Sequence, residues 1–278
     1  MIKSLEAGEL DLAIGLTEGW VTALANGADD FKLVGKYVSS PLCWAISTGA
    51  ERTDVNSVSD LASSAGEKKK LGISRYGSGS YVMGFVFADQ SGWLEAGSEP
   101  FDWQALDNFK NLRDAVRKIH PGSKEADAFM WEHFTTKYLV MRKCQGAFAN
   151  VTRRKYYDNG ELKKIGEIFT PWPSWHIVAH TSLTKSTDGV ATISAFAKAV
   201  EEGILHFNAH HDEAVEYIST NLDYSAEDAR EWLKTVVFSD QCKNVENDVI
   251  EKAVAILKKA GVVKGGAIPV ENMIVNMH

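Results

Sequence analysis

The spacing of apolar and polar residues predicts a helix, a strand and a second helix at the start of the chain. In residues 1–9 the apolar side chains are spaced for one face of a helix. Residues 10–15 then have the composition of a buried strand, and 20–25 predict a helix after a loop at 17–19. A parallel α/β sheet needs a strand before the first helix. We therefore expect that the first strand and its helix are missing from this version of the chain, or that the fold closes without that strand.

The pattern of apolar and polar residues predicts further strands and helices along the rest of the chain. Further strands are predicted at 33–38, 43–46, 71–74, 126–131, 162–168 and 176–179. Helices are predicted at 58–62, 81–88, 109–119, 190–208, 213–221, 225–236 and 247–260. Strands alternate with helices over most of the chain, and the last third is helical. This order predicts the α/β class.

A Gly/Ser turn joins a predicted strand to a predicted helix within residues 70–81 (Lys-Leu-Gly-Ile-Ser-Arg-Tyr-Gly-Ser-Gly-Ser-Tyr). The first N–H groups of a helix have no intrahelical partner and the helix dipole favours negative charge there, so such a corner can bind an anion. Ser78 and Ser80 could donate hydroxyls to a ligand or simply cap the helix. No Gly-Lys-Ser/Thr follows, and Val82 replaces the third glycine of the dinucleotide fingerprint, so neither nucleotide motif is present.

The charge and the cysteine content argue against several classes of protein. The 278 residues carry a net charge of −7 with a pI near 5.7, which argues against a general nucleic-acid binder. No apolar run is long enough to cross a membrane, and the first residues do not form a signal peptide. Cys43, Cys144 and Cys242 are scattered and odd in number, which predicts a reduced, cytoplasmic protein without a disulfide framework or zinc site.

Four stretches, together with the helical C-terminal third, resemble one family. They are 4–15 (Ser-Leu-Glu-Ala-Gly-Glu-Leu-Asp-Leu-Ala-Ile-Gly), the corner at 77–80, 126–132 (Ala-Asp-Ala-Phe-Met-Trp-Glu) and 171–175 (Pro-Trp-Pro-Ser-Trp). In this order they look like the type II periplasmic substrate-binding proteins, in the branch of the sulfonate, nitrate and thiamine-pyrimidine binders. That branch includes intracellular fungal members and the fungal thiamine-pyrimidine synthases.

The resemblance implies a two-lobed fold with mixed central sheets and flanking helices, in which a ligand is clamped between the lobes. Carried onto this chain, lobe I is 1–40 with 176–278, and lobe II is 45–170. The two crossings fall near 39–44 and 166–175.

The resemblance also implies which residues line the ligand pocket. They come from both lobes and from the crossings: Thr17, Glu18, Ser40, Trp44, Arg75, Tyr76, Ser78, Gly79, Ser80, Trp131, Glu132, Trp172 and Trp175. Glu132 could be a ligand anchor or a hydrogen-bonding group beside the hinge, and with His133 it could form an acid/base pair. Trp172 and Trp175 could stack on a planar ligand or pack at the hinge.

Two segments depart from the family. The strand and helix that open its members are absent before residue 4. Residues 138–155 hold five basic and no acidic side chains where a short link is expected, which marks a probable insertion. Both departures could come from the gene model, through a start codon placed downstream and a retained intron. The alternative for 138–155 is a true lineage-specific loop.

The leading functional prediction is a small-molecule binding protein for a polar or anionic organic ligand, pyrimidine- or sulfonate-like, without cofactor or catalytic residues. The alternative is an enzyme like the thiamine-pyrimidine synthases, whose Cys-rich iron motif has no counterpart among the three cysteines. A non-functional fragment is a third reading. His206 and His210, four residues apart, could bind a metal, but a solvated helix end explains them more simply.

Overall fold

The computed structural model describes residues 1–62, 67–94, 98–119, 122, 124–137, 156–157, 159–222, 224–263, 265–266 and 268–276. The predicted insertion at 138–155 lies outside the described residues.

Helices and strands alternate as the α/β prediction requires. The helices are α1 (Ile2–Glu6), α2 (Thr17–Ala25), α3 (Gly79–Gln90), α4 (Phe109–Arg117), α5 (His133–Lys137), α6 (Thr181–Thr184), α7 (Thr187–Ala209), α8 (His211–Asn221), α9 (Ala226–Leu233) and α10 (Asn247–Lys259). The strands are β1 (Leu12–Leu16), β2 (Phe31–Val38), β3 (Cys43–Gly49), β4 (Lys70–Ile73), β5 (Asp102–Ala105), β6 (Ala128–Glu132), β7 (Leu162–Phe169) and β8 (Trp175–His180). Short 3₁₀ helices occupy Val58–Leu61 and Val270–Asn272.

Three of the differences between the local predictions and the structure follow. Residues 17–19, predicted as a loop, form the first turn of α2. Asp102–Ala105 was not predicted as a strand, and it becomes β5 because its backbone pairs in parallel with β4. His133–Lys137 is a helix that the apolar pattern does not show, because it is only five residues long.

The chain divides into two compact units, and the first comprises Met1–Leu42, Thr170–His210 and Thr235–His278. Its sheet has the order β1-β8-β2, and both pairings are antiparallel. The strands from the start of the chain therefore lie on either side of β8, which comes much later in the sequence. Among the described strands, β1 has β8 as its one partner.

The core of the first unit lies between β2, β8 and α7. The strands supply the buried side chains of Val34, Ile177 and Ala179, and one face of α7 supplies those of Ile193, Ala197 and Ile204. Cys242, from the segment between α9 and α10, packs with them. The outer edge of β2 is covered by the C-terminal part of the chain through isolated bridges at Leu33, Gly35 and Val38. These bridges fix the C-terminal segment to the sheet.

The second unit comprises Cys43–Phe169 and His211–Lys234. Its sheet is mixed, with the order β5-β4-β6-β3-β7. β4 is parallel to β5 and β6, while β3 is antiparallel to β6 and β7. The mixed five-stranded sheet and the helices of both units confirm the predicted α/β class.

Helix α3 is the most buried helix of the second unit. It is apolar on every side, and all residues from Val82 to Ala88 are buried, as expected for a helix enclosed by other elements. A further core lies under α4 and consists of Leu106, Leu112, Ala115, Val116, Ala126, Phe129, Tyr156 and Leu162.

Among the described residues, every helix is too short or too polar to cross a membrane.

Candidate functional site

The carboxyl ends of β4 and β6 lie at one edge of the five-stranded sheet. The chain passes from β4 to β5 on one side of β4, and then crosses back to β6 on its other side. In open α/β sheets, ligands bind where the connections diverge in this way. The Gly/Ser corner follows β4, and Trp131 and Glu132 end β6. The fold of the second unit therefore brings these predicted residues to the same edge.

The two serines of the corner already have protein partners. Ser78 is the N-cap of α3, and its Oγ accepts the Tyr81 N–H at 3.4 Å. The Oγ of Ser80 accepts the Ser74 N–H at 3.1 Å and lies 3.0 Å from the Oγ of Ser78. Both serines are buried. The hydroxyls thus fix the shape of the corner, and Gly79 occupies the first helical position, where an N–H has no intrahelical partner.

Arg75 and Tyr76 are exposed side chains of the corner. Tyr76 is 63% exposed, and its ring meets that of Tyr81 edge to face at 5.5 Å. Gly77 adopts a φ of +75°, which glycine tolerates without strain and which lets the chain turn into α3. The corner therefore presents a cation and an aromatic ring beside the N-terminus of a twelve-residue helix.

Both carboxylate oxygens of Glu132 accept hydrogen bonds within the second unit. Its Oε1 accepts the Phe134 N–H at 3.0 Å, and its Oε2 accepts the Thr135 N–H at 2.6 Å. The carboxylate therefore caps α5. Trp131 is half-buried and packs against Phe109, with ring centroids 5.6 Å apart.

Trp44 is opposite Glu132 in the register of β3 and β6. Its side chain is buried, and its Nε1 has no hydrogen-bond partner among the described residues. A buried N–H without a partner is rare, because it costs the full desolvation of the donor. The indole N–H of Trp44 can therefore donate to an acceptor such as a water molecule or a ligand.

The first turn of α2 holds two predicted residues in the first unit. The Thr17 N–H donates to the Ser174 carbonyl at 3.0 Å, and the Thr17 hydroxyl donates to the Pro173 carbonyl. The Trp172 indole N–H donates to Oε2 of Glu18 at 3.1 Å, while Oε1 of Glu18 has no partner among the described residues. The first turn of α2 therefore holds the segment 170–175.

Burial dominates the electrostatics of Glu18. Its side chain is fully buried, and the resulting desolvation raises the pKa of Glu18 to about 7. Hydrogen bonds from its own backbone N–H and from Trp172 favour the charged form and oppose part of this rise. Glu18 can therefore carry or lose a proton near neutral pH.

His176 belongs to the same cluster, and the sequence did not single it out. Because the Thr17 hydroxyl donates to Pro173, it accepts from Nδ1 of His176 at 2.7 Å. Nε2 then carries the lone pair and has no partner among the described residues. Burial lowers the pKa of His176 to about 4, so the ring is neutral near pH 7. The inward position of a histidine in an apolar strand was the signal available in the sequence.

Ser40 and Trp175 complete the placement of the predicted residues. Ser40 Oγ accepts the Val237 N–H at 3.0 Å, and its carbonyl accepts the Ser174 hydroxyl at 2.7 Å. Trp175 is the first residue of β8 and is half-buried. Trp172 is only 3% exposed, so its ring is buried in this structure.

Two other features lie away from the predicted residues. A depression of about 410 Å³ in the second unit is lined by Ala105, Leu106, Asp107, Lys110, Asn111, Asp114, Ala115 and Lys124. In the first unit, the exposed rings of His206 and His210 stack at the end of α7 with centroids 4.2 Å apart. None of the thirteen predicted ligand residues belongs to either feature.

Comparison with known proteins decides the family. A family described as Ca3427-like PBP, where PBP stands for periplasmic binding protein, matches residues 44–143. The solved structure of the Candida albicans CA3427 gene product is 42% identical over 100% of this chain and 83% of that chain, with a TM-score of 0.82. That protein defines a family with the generic periplasmic binding protein fold.

The chain belongs to the Ca3427-like family.

More distant solved structures share the fold of this Ca3427-like protein. The alkanesulfonate-binding protein SsuA from Xanthomonas axonopodis pv. citri, bound to MOPS, is 13% identical over 99% of this chain and 83% of that chain, with a TM-score of 0.69. The aliphatic sulphonate-binding protein SsuA from Escherichia coli is 14% identical over 100% and 79%, with a TM-score of 0.66. No curated protein sequence matches significantly. The predicted membership of the periplasmic-binding-protein superfamily and the predicted fold are confirmed.

Proposed function

We propose that this protein binds a small polar or anionic organic molecule, pyrimidine- or sulfonate-like, and does not turn it over. The observation that carries the proposal is the helix corner at the carboxyl end of β4, beside the end of β6. This position is where open α/β sheets bind ligands, and the N-terminus of α3 favours a negative group.

The side chains around the corner support an anionic ligand with a planar part. Arg75 adds a positive charge to that of the helix terminus, and Tyr76 offers an exposed ring. The buried Nε1 of Trp44 has no partner among the described residues and is a further donor for an acceptor group. Because a sulfonate carries only acceptor oxygens, it suits this set of donors.

The finer parts of the proposal come from the family resemblance. The ligand would be held by closure of two lobes, 1–40 with 176–278 and 45–170, at crossings near 39–44 and 166–175. The thirteen residues predicted from the sequence would contact it. The three scattered cysteines, and not the resemblance, favour a reduced, cytoplasmic setting. An SsuA protein with this fold binds MOPS, which makes MOPS a natural first probe.

Isothermal titration in a sulfonate-free buffer tests the proposal. The probes are MOPS, nitrate, an aminopyrimidine and its phosphate ester. We expect one of these ligand classes to bind. The Ser78→Ala/Ser80→Ala variant should bind the same probe with at least tenfold lower affinity. Mass spectrometry of the recovered probe should show it unchanged.

The matched controls are Ser186→Ala and Ser225→Ala, which remove the same kind of N-cap from α7 and α9. Each loses a helix cap, which costs about 1 kcal/mol, but neither changes the corner at the start of α3. Equal affinity in the corner variant and the controls would remove the corner from the site. Absence of binding by all four probes would refute the proposed ligand classes.

A further inference from the structure

The carboxyl group of Glu18 is enclosed and only half satisfied. One oxygen accepts the Trp172 indole N–H, and the other, Oε1, has no partner among the described residues. Glu18 is 0% exposed and Trp172 is 3% exposed. In this enclosure a neutral carboxylic acid costs far less free energy than a carboxylate without a positive partner.

The same turn of α2 holds the segment 170–175 through its backbone. Thr17 donates its N–H to the Ser174 carbonyl at 3.0 Å and its hydroxyl to the Pro173 carbonyl. With the Trp172 bond, three hydrogen bonds fasten the segment to α2. The segment covers Glu18 through Trp172, so exposing the carboxyl requires that this segment moves.

No charged side chain compensates Glu18 within the described part of the first unit. Helix α2 packs on β1, β2, β8 and α10, and β1 and the segment 170–174 have no titratable side chain. The titratable side chains on the other elements are Lys32, Lys36, Tyr37, His176, His180, Asp248, Glu251, Lys252, Lys258 and Lys259. The pKa of Glu18 is instead determined by burial, its own backbone N–H and Trp172.

We propose that Glu18 is a proton-controlled latch for the segment 170–175. While Glu18 holds its proton, its carbonyl oxygen accepts from Trp172 and the segment stays on α2. When the proton passes to solvent, a carboxylate without a cationic partner remains in the enclosure. The N–H groups of Trp172 and of the Glu18 backbone offset only part of its desolvation, and lifting of the segment lets water reach it. Since burial raises the pKa of Glu18 from 4.5 to about 7, opening of the latch becomes easier as the pH rises from about 4.5 to 7 and changes no further above that value.

This inference depends on the first unit alone and does not require the proposed ligand. Protonation and release involve no bond change other than the O–H bond of Glu18, and the proton is exchanged with solvent. The ligand-free chain is therefore the right sample.

Native-state hydrogen exchange followed by NMR tests the latch. The reporters are the amides of Thr17 and Ser174, whose hydrogen bonds hold the segment to α2 and to Ser40. After correction for intrinsic exchange, their protection in the wild type should fall up to tenfold per pH unit between about pH 4.5 and 7, where only the open form loses the proton of Glu18, and should stay level above pH 7. In Glu18→Gln, which keeps an acceptor for Trp172 but cannot ionise, the protection should stay level.

Glu9→Gln is the matched control, since Glu9 is exposed in the same unit. It should show the wild-type profile. Parallel profiles in the wild type and Glu18→Gln overturn the latch. If Glu18→Gln fails to fold, the carboxyl carbon of Glu18 is titrated in the wild type by ¹³C NMR: an apparent pKa near 7 supports the latch, and one near 4.5 overturns it.

Discussion

The indole N–H of Trp172 donates a hydrogen bond to Oε2 of Glu18 at 3.1 Å, inside the first unit. The two residues are 154 positions apart in the sequence. Glu18 is the second residue of α2, and Trp172 lies between β7 and β8. The bond therefore joins the start of the chain to a segment that the chain reaches only after the strands β2 to β7.

Trp172→Phe should weaken the first unit by more than the change in ring size. The substitution removes the indole donor and leaves Oε2 of Glu18 without it, which costs about 1–3 kcal/mol of unfolding free energy. Urea unfolding of Trp172→Phe, Glu18→Gln and the double variant measures the effect and the coupling. We expect a coupling above about 0.5 kcal/mol, and additive effects of the two substitutions would contradict a direct bond.

His176 should limit stability in acid. Its folded pKa of about 4 lies below its unfolded value of 6.5, so its contribution is fully present above pH 6.5 and is lost as the pH falls towards 4. The loss is on the order of 3 kcal/mol at pH 4. Between pH 7 and 4, the midpoint temperature of thermal unfolding should therefore fall less steeply in His176→Gln than in the wild type. His210→Gln, at an exposed site, should follow the wild type, and identical slopes in all three proteins would remove His176 from the acid response.

Gly35→Ala should destabilise the first unit strongly. A Cβ at Gly35 would lie 2.0 Å from the backbone carbonyl oxygen of Cys242, which cannot move aside as a side chain could. The cost is about 2 kcal/mol or more, because backbone must shift to relieve the overlap.

The control for this glycine is Gly203→Ala in α7, where a Cβ meets no atom within 4 Å. It should stabilise the protein by up to about 1 kcal/mol, because alanine is the better helix former. Chemical denaturation of both variants gives the comparison, and a neutral Gly35→Ala would show that β2 and the Cys242 loop separate easily.

Arg52→Met should cost about 2–3 kcal/mol in the second unit, since it leaves a largely buried acid without its cation. Arg52 donates to Asp127 at 2.8 Å and to the Ala126 carbonyl at 3.2 Å, and its side chain is 10% exposed. Lys252→Met breaks an ion pair with Asp248 whose side chains are about 70% exposed, and it should change stability by less than about 0.5 kcal/mol. Similar effects of the two substitutions in urea denaturation would contradict the special role of Arg52.

The sequence located most elements because their patterns are local. The Gly/Ser turn and the apolar run after it identified α3, and alternation identified β2, β3, β7 and β8. β5 was missed because four residues, Asp102–Ala105, carry no periodic pattern and become a strand only through pairing with β4. The first turn of α2 was missed because Thr-Glu-Gly has low helix propensity and tertiary contacts of Thr17 stabilise it.

The roles of single side chains were less accessible to sequence reasoning. Glu132 was correctly placed at the end of β6, but its use as the cap of α5 depends on a helix that was not predicted. Glu18 was selected through the family resemblance. Its burial and its bond to Trp172 follow from tertiary packing over 154 positions, which no local pattern records.

The central position of β8 also determines when the first unit can form. β1 and β2 pair with β8 and not with each other, and on the order of 140 residues separate β2 from β8. At a translation rate of ~5–20 residues per second, the ribosome adds these residues in roughly 7 to 30 seconds. During that time β1 and β2 are exposed without their partner, while all five strands of the other sheet emerge. We therefore expect the sheet of the second unit to assemble first during synthesis. β1 and β2 should pair with β8 only afterwards.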